Sequence, residues 1–516
     1  MPTYLSPGVY VEELEPAARP IEGVGTAVAA FVGLAAEGPF HSPTLVTNWT
    51  QFTSTFGEPV PGTYLAQAVY GYFLNGGGQA YVVRVGASAA PGEPVAARAE
   101  LPSAGEARIP AYVATALTAD QVSVEITDAP EGSPEDSFRL VVRGDGREEV
   151  FEPVTARRGR HNAITQVNAT STLIRLAEPQ NSNSASAATA VTAASGRRPA
   201  NATVALVQQA SAQAAPRPDD YVGNSADRTG FGGLEAVDGI TMVCVPDLMA
   251  AYQAGAIDRE GLRAVQTAMI AHCELMGDRM AILDTPPDLN PQQVHDWRVN
   301  EAGYDSRFAA LYWPWVKVFD PADGVVKPIP PSGHAAGVWA RSDATRGVHK
   351  APANEVVRGA VGLDAALTRA EHDLLNPAGI NCIRAFPGRG VRIWGARTLS
   401  SDPIWRYINV RRLYNYVESS LRNGTQWVVF EPNDKDLWER LNRTIRSFLY
   451  RVWLDGALFG ETADQAFYVK CDDETNPSEL IESGQLVCEV GMAVVKPAEF
   501  VVFRLAQLPT GTSVTE

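Results

Sequence analysis

The sequence predicts a multidomain fold of mixed α/β and α+β class, with an inserted, mostly β domain and extended strand arms at both chain ends. With 516 residues, 45% of them hydrophobic, the chain can bury several cores. Strands alternate with helices after about residue 239, as in a mostly parallel α/β layer. Residues 87–218 instead show hairpin patterns followed by an Ala/Ser/Asn-rich stretch, which is typical of an inserted surface module.

The chain opens with a candidate strand, "SPGVYVEEL", that has no local partner. In this stretch Val9 and Val11 alternate with Tyr10 and Glu12, which is the period of two expected of a half-buried strand. The next segment, "EPAARPIEGVG" (15–25), is rich in Pro and Gly and predicts an extended leash of about 35 Å rather than a hairpin turn. The strand therefore pairs with a distant part of this chain or with another chain.

Residues 26–86 predict a compact first part of the core. The strand "TAVAAFVG" is followed by a short element at Trp49 to Phe56, a helix from Tyr64 to Asn75 and the strand "AYVVRV". The glycine-rich "NGGG" follows the end of that helix, where free carbonyl groups repel an anion. A phosphate site is therefore disfavoured here.

Three predicted strands of the α/β part each end at an aspartate. They are "ITMVCVPD", "RMAILD" and "AALYWPWVKVFD", separated by helices at 258–276 and 291–302, and they end at Asp247, Asp284 and Asp320. At the carboxyl edge of a parallel sheet, three carboxylates could hold Mg²⁺, as in a metal-dependent α/β hydrolase. The competing interpretation is that each aspartate caps the next helix or starts a turn, as in "DTPPD" and "DPADG", which fits the lack of any accompanying catalytic motif.

The last third predicts two amphipathic helices and several strands. The first helix ends at Asn423-Gly424, "TQWVVFE" follows as a strand, and Asn433 caps a second helix with Asp434 and Asp436 in its first turn. The apolar side of the second helix comprises Leu437, Trp438, Leu441, Ile445, Phe448, Leu449 and Val452, and the opposite side carries Arg440, Arg443, Arg446 and Arg451. This basic side is either a solvated surface or a binding face. The strands "AFYVKC", "LVCEVGMAVV" and "AEFVVFRLAQ" end the chain.

Composition and motifs disfavour several classes of protein. A net charge of −16 disfavours nucleic-acid binding. The five cysteines are scattered and never spaced as C-x-x-C, so we expect buried thiols rather than a disulfide framework or a zinc site. No apolar run of membrane-spanning length and no secretory signal pattern occur, so we expect cytoplasmic synthesis. Neither a catalytic nor a cofactor motif is present, and we expect no enzyme activity, cofactor or metal.

Several stretches resemble one family, the sheath proteins of contractile phage tails and related injection systems. They are "SPGVYVEE", "NGGGQAYVVRV", "RSDATRGVHKAPAN", "RRLYNYVESSLRNGTQWVVFEPND", "GALFGETADQAFYVKCD" and "PAEFVVFRLAQ". The resemblance covers about the first ninety residues and nearly everything after 220. It implies a subunit of hexameric rings that stack helically around an inner tube, in a phage tail or tail-like particle, and contract to drive the tube through a target envelope.

The resemblance also implies partners and domains. The partners would be other copies of this chain, an inner tube protein, and baseplate and terminal cap proteins, with no nucleic-acid contact and no stable membrane insertion. The expected domains are an arm and linker (1–25), two parts of the sheath core (26–86 and 219–372), the inserted domain (87–218), a C-terminal sheath domain (373–497) and a terminal arm (498–516).

In this family the arms add strands to sheets of neighbouring subunits. The resemblance therefore assigns inter-subunit strands to Val9, Tyr10, Val11 and Glu12 and to Phe500, Val501, Val502 and Phe503. We expect the accepting sheet to include Trp427, Val428, Val429, Phe467 and Val469, and the inner tube to meet Arg440, Arg443 and Arg446. The alternatives are the hydrolase discussed above and a tubular shell protein that assembles without contracting.

Overall fold

The computed structural model divides into two compact units. It describes residues 20–86, 98–103, 110–117, 122–130, 133–134, 136–144, 146–157, 159, 161–177, 198–206, 216–320 and 324–503. Described residues before 86 and after 215 form the first unit, and those between form the second. The N-terminal candidate strand, Val9 to Glu12, lies outside the described residues.

A nine-stranded sheet organises the first unit. In spatial order its strands are β16 (Glu355–Val356), β19 (Gly390–Ile393), β18 (Ile380–Phe386), β13 (Ala309–Trp313), β12 (Met280–Asp284), β11 (Met242–Cys244), β1 (Val28–Gly33), β3 (Gln79–Arg84) and β2 (Thr44–Val46). The six from β18 to β3 run parallel. Such strands are buried on both faces, which explains their continuous apolar runs. In β1, for example, Ala30 and Val32 face one core and Ala29 and Phe31 the other.

The helices of the first unit that precede residue 400 surround this sheet. They are α1 (Trp49–Phe56), α2 (Leu65–Asn75), α4 (Pro218–Val222), α5 (Asp247–Gln253), α6 (Arg259–Met276), α7 (Pro291–Asp296), α8 (Ser332–Arg346) and α9 (Arg369–Leu375). A π-helical stretch, Trp297–Ala302, continues α7. Helices α2 and α8 approach closely because Gly333 lacks a side chain, since a Cβ atom there would lie 2.3 Å from the Ala68 carbonyl oxygen.

The predicted strand "AALYWPWVKVFD" is in fact two strands in different sheets. The first half is β13 of the large sheet, and the second is β14 (Val316–Asp320), which pairs with β15 (Val325–Ile329) and β17 (Ala360–Leu363). Pro314 has no N–H to donate, so it cannot take part in a continuous ladder. Asp320 therefore ends a strand of the small sheet and does not lie on the edge of the parallel sheet.

The second unit is mostly β and has its own core. One sheet comprises β10 (Ala202–Ala205), β6 (Ser123–Asp128), β7 (Ser137–Gly144) and β8 (Arg147–Thr155), and the other β4 (Arg98–Pro102), β5 (Pro110–Ala116) and β9 (Ile174–Ala177). Helix α3 (Ala163–Thr170) packs with them. The core contains Leu101, Tyr112 and Phe138. The "GDG" hairpin predicted from sequence is the β7–β8 pair.

Two long helices and a two-stranded sheet follow residue 400. The helices are α10 (Ile408–Gly424) and α11 (Lys435–Leu454), with α12 (Ala463–Ala466) and α13 (Ser478–Glu482) beyond them. The sheet pairs β20 (Phe467–Lys470) with β21 (Glu489–Met492). The predicted apolar side of α11 is confirmed as buried, together with Thr444. The cap of α11 differs from the prediction, since Asp434 Oδ1 accepts from the Leu437 N–H, whereas Asn433 Oδ1 accepts from Trp438 Nε1.

The prediction of a strand at "TQWVVFE" is wrong. Gln426–Val428 form a 3₁₀ turn, because the Thr425, Val428 and Val429 N–H groups all donate to carbonyls three or four residues earlier. Val429 is 64% exposed and Phe430 fully exposed, so consecutive side chains both face solvent and the alternation of a half-buried strand is lost. Trp427, Val428 and Val429 therefore offer no strand edge to an incoming arm.

Candidate assembly interface

The outer edge of β21 has no strand partner among the described residues. The register pairs Phe467 with Met492, and the Ala493 N–H donates to the Ala466 carbonyl at 2.8 Å. Residues directly opposite each other alternate between hydrogen-bonded and non-hydrogen-bonded pairs, so the Phe467–Met492 and Val469–Val490 pairs belong to the second class. The backbone polar groups of Val490 and Met492 therefore point away from β20.

The open edge continues beyond β21. The Phe459 N–H donates to the Ala493 carbonyl at 2.7 Å, and the Val495 N–H donates to the Ala457 carbonyl at 3.3 Å. Val494 thus also points its backbone outward. We call Val490, Met492 and Val494 the open edge. Their side chains are only half-buried, as expected where a further strand could cover them.

The outer edge of β20 is less available. The N–H of Phe467, the residue after α12, donates to the carbonyl of Ala463, the first residue of that helix, and the Val469 carbonyl accepts from Asn442 Nδ2 at 3.4 Å. Phe467 and Val469, predicted members of the accepting sheet, lie in β20 with buried side chains. Their side chains therefore pack in the core beneath the sheet, and the edge that is free to accept a strand belongs to β21.

The C-terminal segment leaves the folded body at a polar anchor, Glu499. Its carboxylate accepts from Arg397 Nη2 at 2.7 Å and Nε at 2.9 Å, from Asn376 Nδ2 at 2.7 Å and from Tyr407 Oη at 2.9 Å. These donors hold the pKa of Glu499 below its usual range, although burial opposes them. The next four side chains, Phe500 to Phe503, are 69 to 84% exposed and form no strand within the described chain.

The N-terminal segment has a matching anchor at Ile21, which shortens the predicted leash. Ile21 is 1% exposed in the core of α10 and α11, and its carbonyl accepts from Arg451 Nη2 at 2.8 Å. Nearby, the Val24 N–H donates to Ser420 Oγ at 3.1 Å. The prediction that the whole of 15–25 is a free leash is wrong, because an apolar side chain inside it is buried in the core.

A buried ion pair holds the next part of the N-terminal segment. Arg412 and Asp343 form a bidentate pair at 2.8 and 2.5 Å, with side chains 3% and 4% exposed. Arg412 Nη2 also donates to the Thr26 carbonyl, and Thr26 Oγ1 donates to Asp343. The pair thus joins α8, α10 and the start of β1.

The arginines of α11 lie on its exposed side, as predicted, but acidic and polar groups accompany them. Arg440 pairs with Glu431 at 3.5 Å and lies over the Trp427 ring, and Arg446 contacts Asp464 at 3.8 Å. Within the described chain Arg443 makes no ion pair. A surface cavity of about 450 Å³ beside it is lined by Glu431, Pro432, Asp434, Asp436, Glu439, Arg440 and Arg443. The face is therefore mixed in charge rather than uniformly basic.

The three aspartates do not form a metal site. Asp247 accepts from the N–H groups of Leu34, Tyr64 and Leu65 at 2.6, 2.5 and 2.9 Å. Asp284 accepts from the N–H and Oγ of Ser332 at 2.8 and 2.6 Å. Asp247 therefore caps the start of α2 and Asp284 the start of α8, each from a distant part of the chain.

Asp320 makes an ion pair with Lys327 and accepts from Gln67 Nε2 at 3.3 Å. No group of three or more candidate ligands occurs in the part of the chain that the structure describes. The described contacts therefore do not support the alternative in which Asp247, Asp284 and Asp320 together hold Mg²⁺. Burial raises the pKa of Asp247 to about 6 and that of Asp284 to about 7, as it does for a carboxyl removed from water.

Sequence reasoning missed Glu499, Ile21 and the Arg412–Asp343 pair. Their partners lie far along the chain, up to 430 residues away for Ile21. A weak signal existed for Ile21, since it is the one branched apolar residue other than Val24 in an otherwise Pro/Gly/Glu/Ala-rich segment. Among the described residues, no helix is both long enough and apolar enough to cross a membrane.

Two family models match the chain. The phage tail sheath protein central domain matches residues 234–399, and the phage tail sheath C-terminal domain matches residues 400–507, together just over half of the chain. A putative prophage major tail sheath protein of Pseudomonas aeruginosa (strain UCBPP-PA14) is 28% identical over 47% of this chain and 61% of its own length. The tail sheath protein of Burkholderia phage BcepMu is 30% identical over 37% of this chain and 40% of its own length. The matched stretches span less than two thirds of either relative.

Solved structures extend the similarity to nearly the whole chain. The helical sheath of the anti-feeding prophage in its contracted state is 25% identical, with a TM-score of 0.58 over 98% of this chain and 100% of that one. The sheath complex of an extracellular contractile injection system, PVC, also in its contracted state, is 22% identical, with a TM-score of 0.59 over 98% and 99%. The predicted mixed α/β and α+β multidomain fold is confirmed.

Proposed function

The chain belongs to the phage tail sheath family, and from this premise we propose that it is the subunit of a contractile sheath. In this proposal, copies of the chain form six-fold rings that stack around an inner tube, and the stack shortens to drive the tube through a target envelope. Baseplate and terminal cap proteins would bound the stack, and the particle would be a phage tail or a phage-tail-like device assembled in the cytoplasm. No catalysis is part of this function.

The observation that carries the proposal is the open edge, together with an exposed apolar segment, Phe500 to Phe503, that forms no strand among the described residues. The N–H and C=O groups of Val490, Met492 and Val494 point away from β20 and have no strand partner among the described residues, and Phe500 to Phe503 form an exposed apolar segment. A strand that adds to the edge satisfies both sets of backbone groups, and its alternate side chains can cover the half-buried edge. Arm residues 9–12 and 500–503 have the apolar content that this requires.

One strand junction between two subunits is weak, but an assembly in which every subunit repeats the junction is stable. At ~1 kcal/mol net per hydrogen bond, one short added strand stabilises a junction by a few kcal/mol. Every subunit repeats the junction, and its neighbours hold the geometry, so the effective concentration of each arm at its site is high. In this proposal the arm adds to the outer edge of β21, and β20 is the neighbouring strand on the other side of β21.

The experiment removes one outward N–H from the open edge. In Met492→Pro, the proline lacks an N–H group that points away from β20, so no hydrogen bond between β20 and β21 is lost. Met492→Leu is the matched control, because it keeps the N–H and an apolar side chain of similar volume. We expect both variants to show a cooperative thermal unfolding transition, which indicates a folded subunit. Only Met492→Leu should form tubular sheaths in electron micrographs. Normal sheaths from Met492→Pro would refute strand addition at this edge.

We further propose that the exposed side of α11 faces the inner tube. Arg440, Arg443 and Arg446 would supply cations, with Arg443 the most available because no described residue pairs with it. The neighbouring Val429–Phe430 tip would supply apolar contact. Arg443→Glu should then weaken co-sedimentation with the tube at low salt, whereas Lys435→Glu, at the start of the same helix, should not. Equal co-sedimentation of both variants would refute this contact.

A further inference from the structure

Two cysteines face each other where β20 ends and β21 begins. Lys470 and Glu489 are the last paired residues of this sheet, and Cys471 and Cys488 are the residues that come next outward on the two strands. The Ala493 to Ala466 hydrogen bond places this cysteine pair in the non-hydrogen-bonded class. Opposite Cα atoms in that class are about 4.5 Å apart, which lies within the range of about 4.4–6.8 Å that a disulfide spans.

The two thiols are already in contact and are held by one side chain. The thiol groups of Cys471 and Cys488 lie within hydrogen-bonding reach of each other. Asn476, which is 2% exposed, accepts from the Val487 N–H at 2.7 Å, donates to the Val487 carbonyl at 3.0 Å and lies 3.8 Å from Cys471 Sγ. Asn476 thereby fixes the segment next to Cys488 against the segment that carries Cys471.

Access differs between the two thiols. Cys471 is 6% exposed, whereas Cys488 is half-buried and can be reached by a small reagent. The other three cysteines, Cys244, Cys273 and Cys382, have no exposed surface. The expectation that all five cysteines are buried is therefore wrong for Cys488, and a reagent in solution can enter the pair only from that side.

We propose that Cys471 and Cys488 form a reversible disulfide that ties β20 to β21 in an oxidising medium. The oxidant is a small-molecule disulfide such as oxidised glutathione. The Cys488 thiolate attacks it, forms a mixed disulfide and releases one glutathione thiolate. The Cys471 thiolate then attacks Sγ of Cys488 and releases the second. Two protein thiols are oxidised, their protons go to solvent or the released thiolates, and one glutathione disulfide is reduced to two thiols.

The chemistry should be slow near neutral pH. Burial raises the pKa of Cys488 to about 12 and raises that of Cys471 as well. Since the thiolate is the attacking species, the rate should rise as pH increases through the alkaline range. The disulfide would close residues 472–487, including α13, into a loop. Under the proposed function, this loop ends beside the arm-accepting sheet, but the thiol chemistry does not depend on that role.

The test uses the full chain with oxidised glutathione, followed by alkylation and peptide mass spectrometry. We expect the five free thiols to fall by two, with one peptide joining Cys471 to Cys488, and to return with a dithiol reductant. The rate should increase about tenfold per pH unit in the alkaline range below the thiol pKa. In Cys471→Ser, the reaction should stop at a mixed disulfide on Cys488, and in Cys488→Ser it should not begin.

Two results would overturn the inference. One is a mixed disulfide on Cys488 that persists in the unmodified chain, and the other is full retention of five thiols in the folded protein at about pH 9. Cys382→Ser serves as a control that keeps the pair and should lose two thiols as well. The measurement needs no assembled particle, so its outcome is independent of whether Met492→Pro forms sheaths.

Discussion

Single residues hold this fold together through contacts over long sequence distances. Asp247 and Asp284 illustrate this, since each caps a helix that begins far from it in sequence. The alternative that each aspartate caps the next helix or starts a turn named the right kind of role for Asp247 and Asp284 but the wrong helix, since Asp247 caps an earlier helix and Asp284 a later one. A carboxylate at the end of a strand has the same local sequence context whether it meets a metal, the next helix or a distant one. Only the three-dimensional packing decides among these.

The buried Arg412–Asp343 pair gives a residue-scale prediction. Asp343→Ala should lower the free energy of unfolding by about 3–5 kcal/mol, because it leaves the Arg412 charge buried without a carboxylate. Thermal and denaturant melting of the subunit measure this change. Lys435→Ala breaks an ion pair whose side chains are more than 70% exposed and screened by solvent, so it should change stability far less than Asp343→Ala does. Equal effects of the two substitutions would contradict the prediction.

The raised pKa of Asp284 predicts a pH dependence of stability. Its folded pKa of about 7 exceeds the usual value of about 4, so the folded state binds a proton that the unfolded state has lost across this window. The resulting stabilisation is full in acid below about 4 and is lost as pH rises through about 7. Asp284→Asn stays neutral and keeps an oxygen that can accept from Ser332. Its melting temperature should therefore fall less between about pH 5 and 8 than that of the unmodified chain.

The exposed Asp473→Asn provides the control for this pH series. The melting temperature of Asp473→Asn should change with pH in the same way as that of the unmodified chain, because the Asp473 side chain is 71% exposed. Asp247, with a pKa of about 6, is present in all three proteins and leaves a common, smaller dependence at lower pH. Parallel curves for Asp284→Asn and the unmodified chain would show that Asp284 does not titrate in this way.

At the scale of elements, helical periodicity over a long segment predicted the buried side of a helix correctly, whereas short apolar runs did not predict strands correctly. The buried side of α11 follows directly from its helical spacing over five turns. "TQWVVFE" has the composition of a strand, but the helix that precedes it continues into a 3₁₀ turn that uses the same N–H groups. Similarly, Trp313 and Trp315 flank a proline that divides one apolar run between two sheets. Such outcomes depend on competition for backbone hydrogen bonds, which residue spacing does not reveal.

The tip between α10 and α11 gives an element-scale prediction. Phe430 has a left-handed backbone, with φ of +68°, and its side chain is fully exposed. Phe430→Gly should relieve about 1 kcal/mol of backbone strain and raise the melting temperature of the subunit. If the tip faces the inner tube as proposed, the same substitution should weaken assembly around the tube. Phe430→Asn, which also tolerates this conformation, should behave similarly, and an unchanged or lower melting temperature would contradict the strain argument.

At the scale of the whole molecule, the proposed function predicts that the chain ends connect the copies. Deletion of residues 1–14 should leave the fold intact, because it retains Ile21 and the contacts that Ile21 makes in the core of α10 and α11. We expect its melting temperature to match that of the full chain while sheaths fail to form normally in electron micrographs. Deletion of residues 1–26 should destabilise the subunit as well, since it removes Ile21 and Thr26. Unimpaired sheaths from the shorter deletion would refute the role of the N-terminal arm.

Contraction itself separates the sheath from a static tubular shell. A contractile assembly should appear in two discrete lengths, before and after a trigger, with the same subunit content. The shortened leash bears on this transition, because with Ile21 held in the core only residues 15–20 can extend, which is about 20 Å at ~3.3 Å per residue. A single length under every condition would favour the shell alternative.

The two anchors also define how tension crosses the subunit. A pull on the N-terminal end reaches α10 and α11 through Ile21, and a pull on the C-terminal end reaches Arg397, Asn376 and Tyr407 through Glu499. Every one of these attachment points belongs to the first unit. If the arms link copies as proposed, force that passes through these two anchors bypasses residues 86–215, and substitutions in that module should leave the mechanical continuity of the chain unchanged.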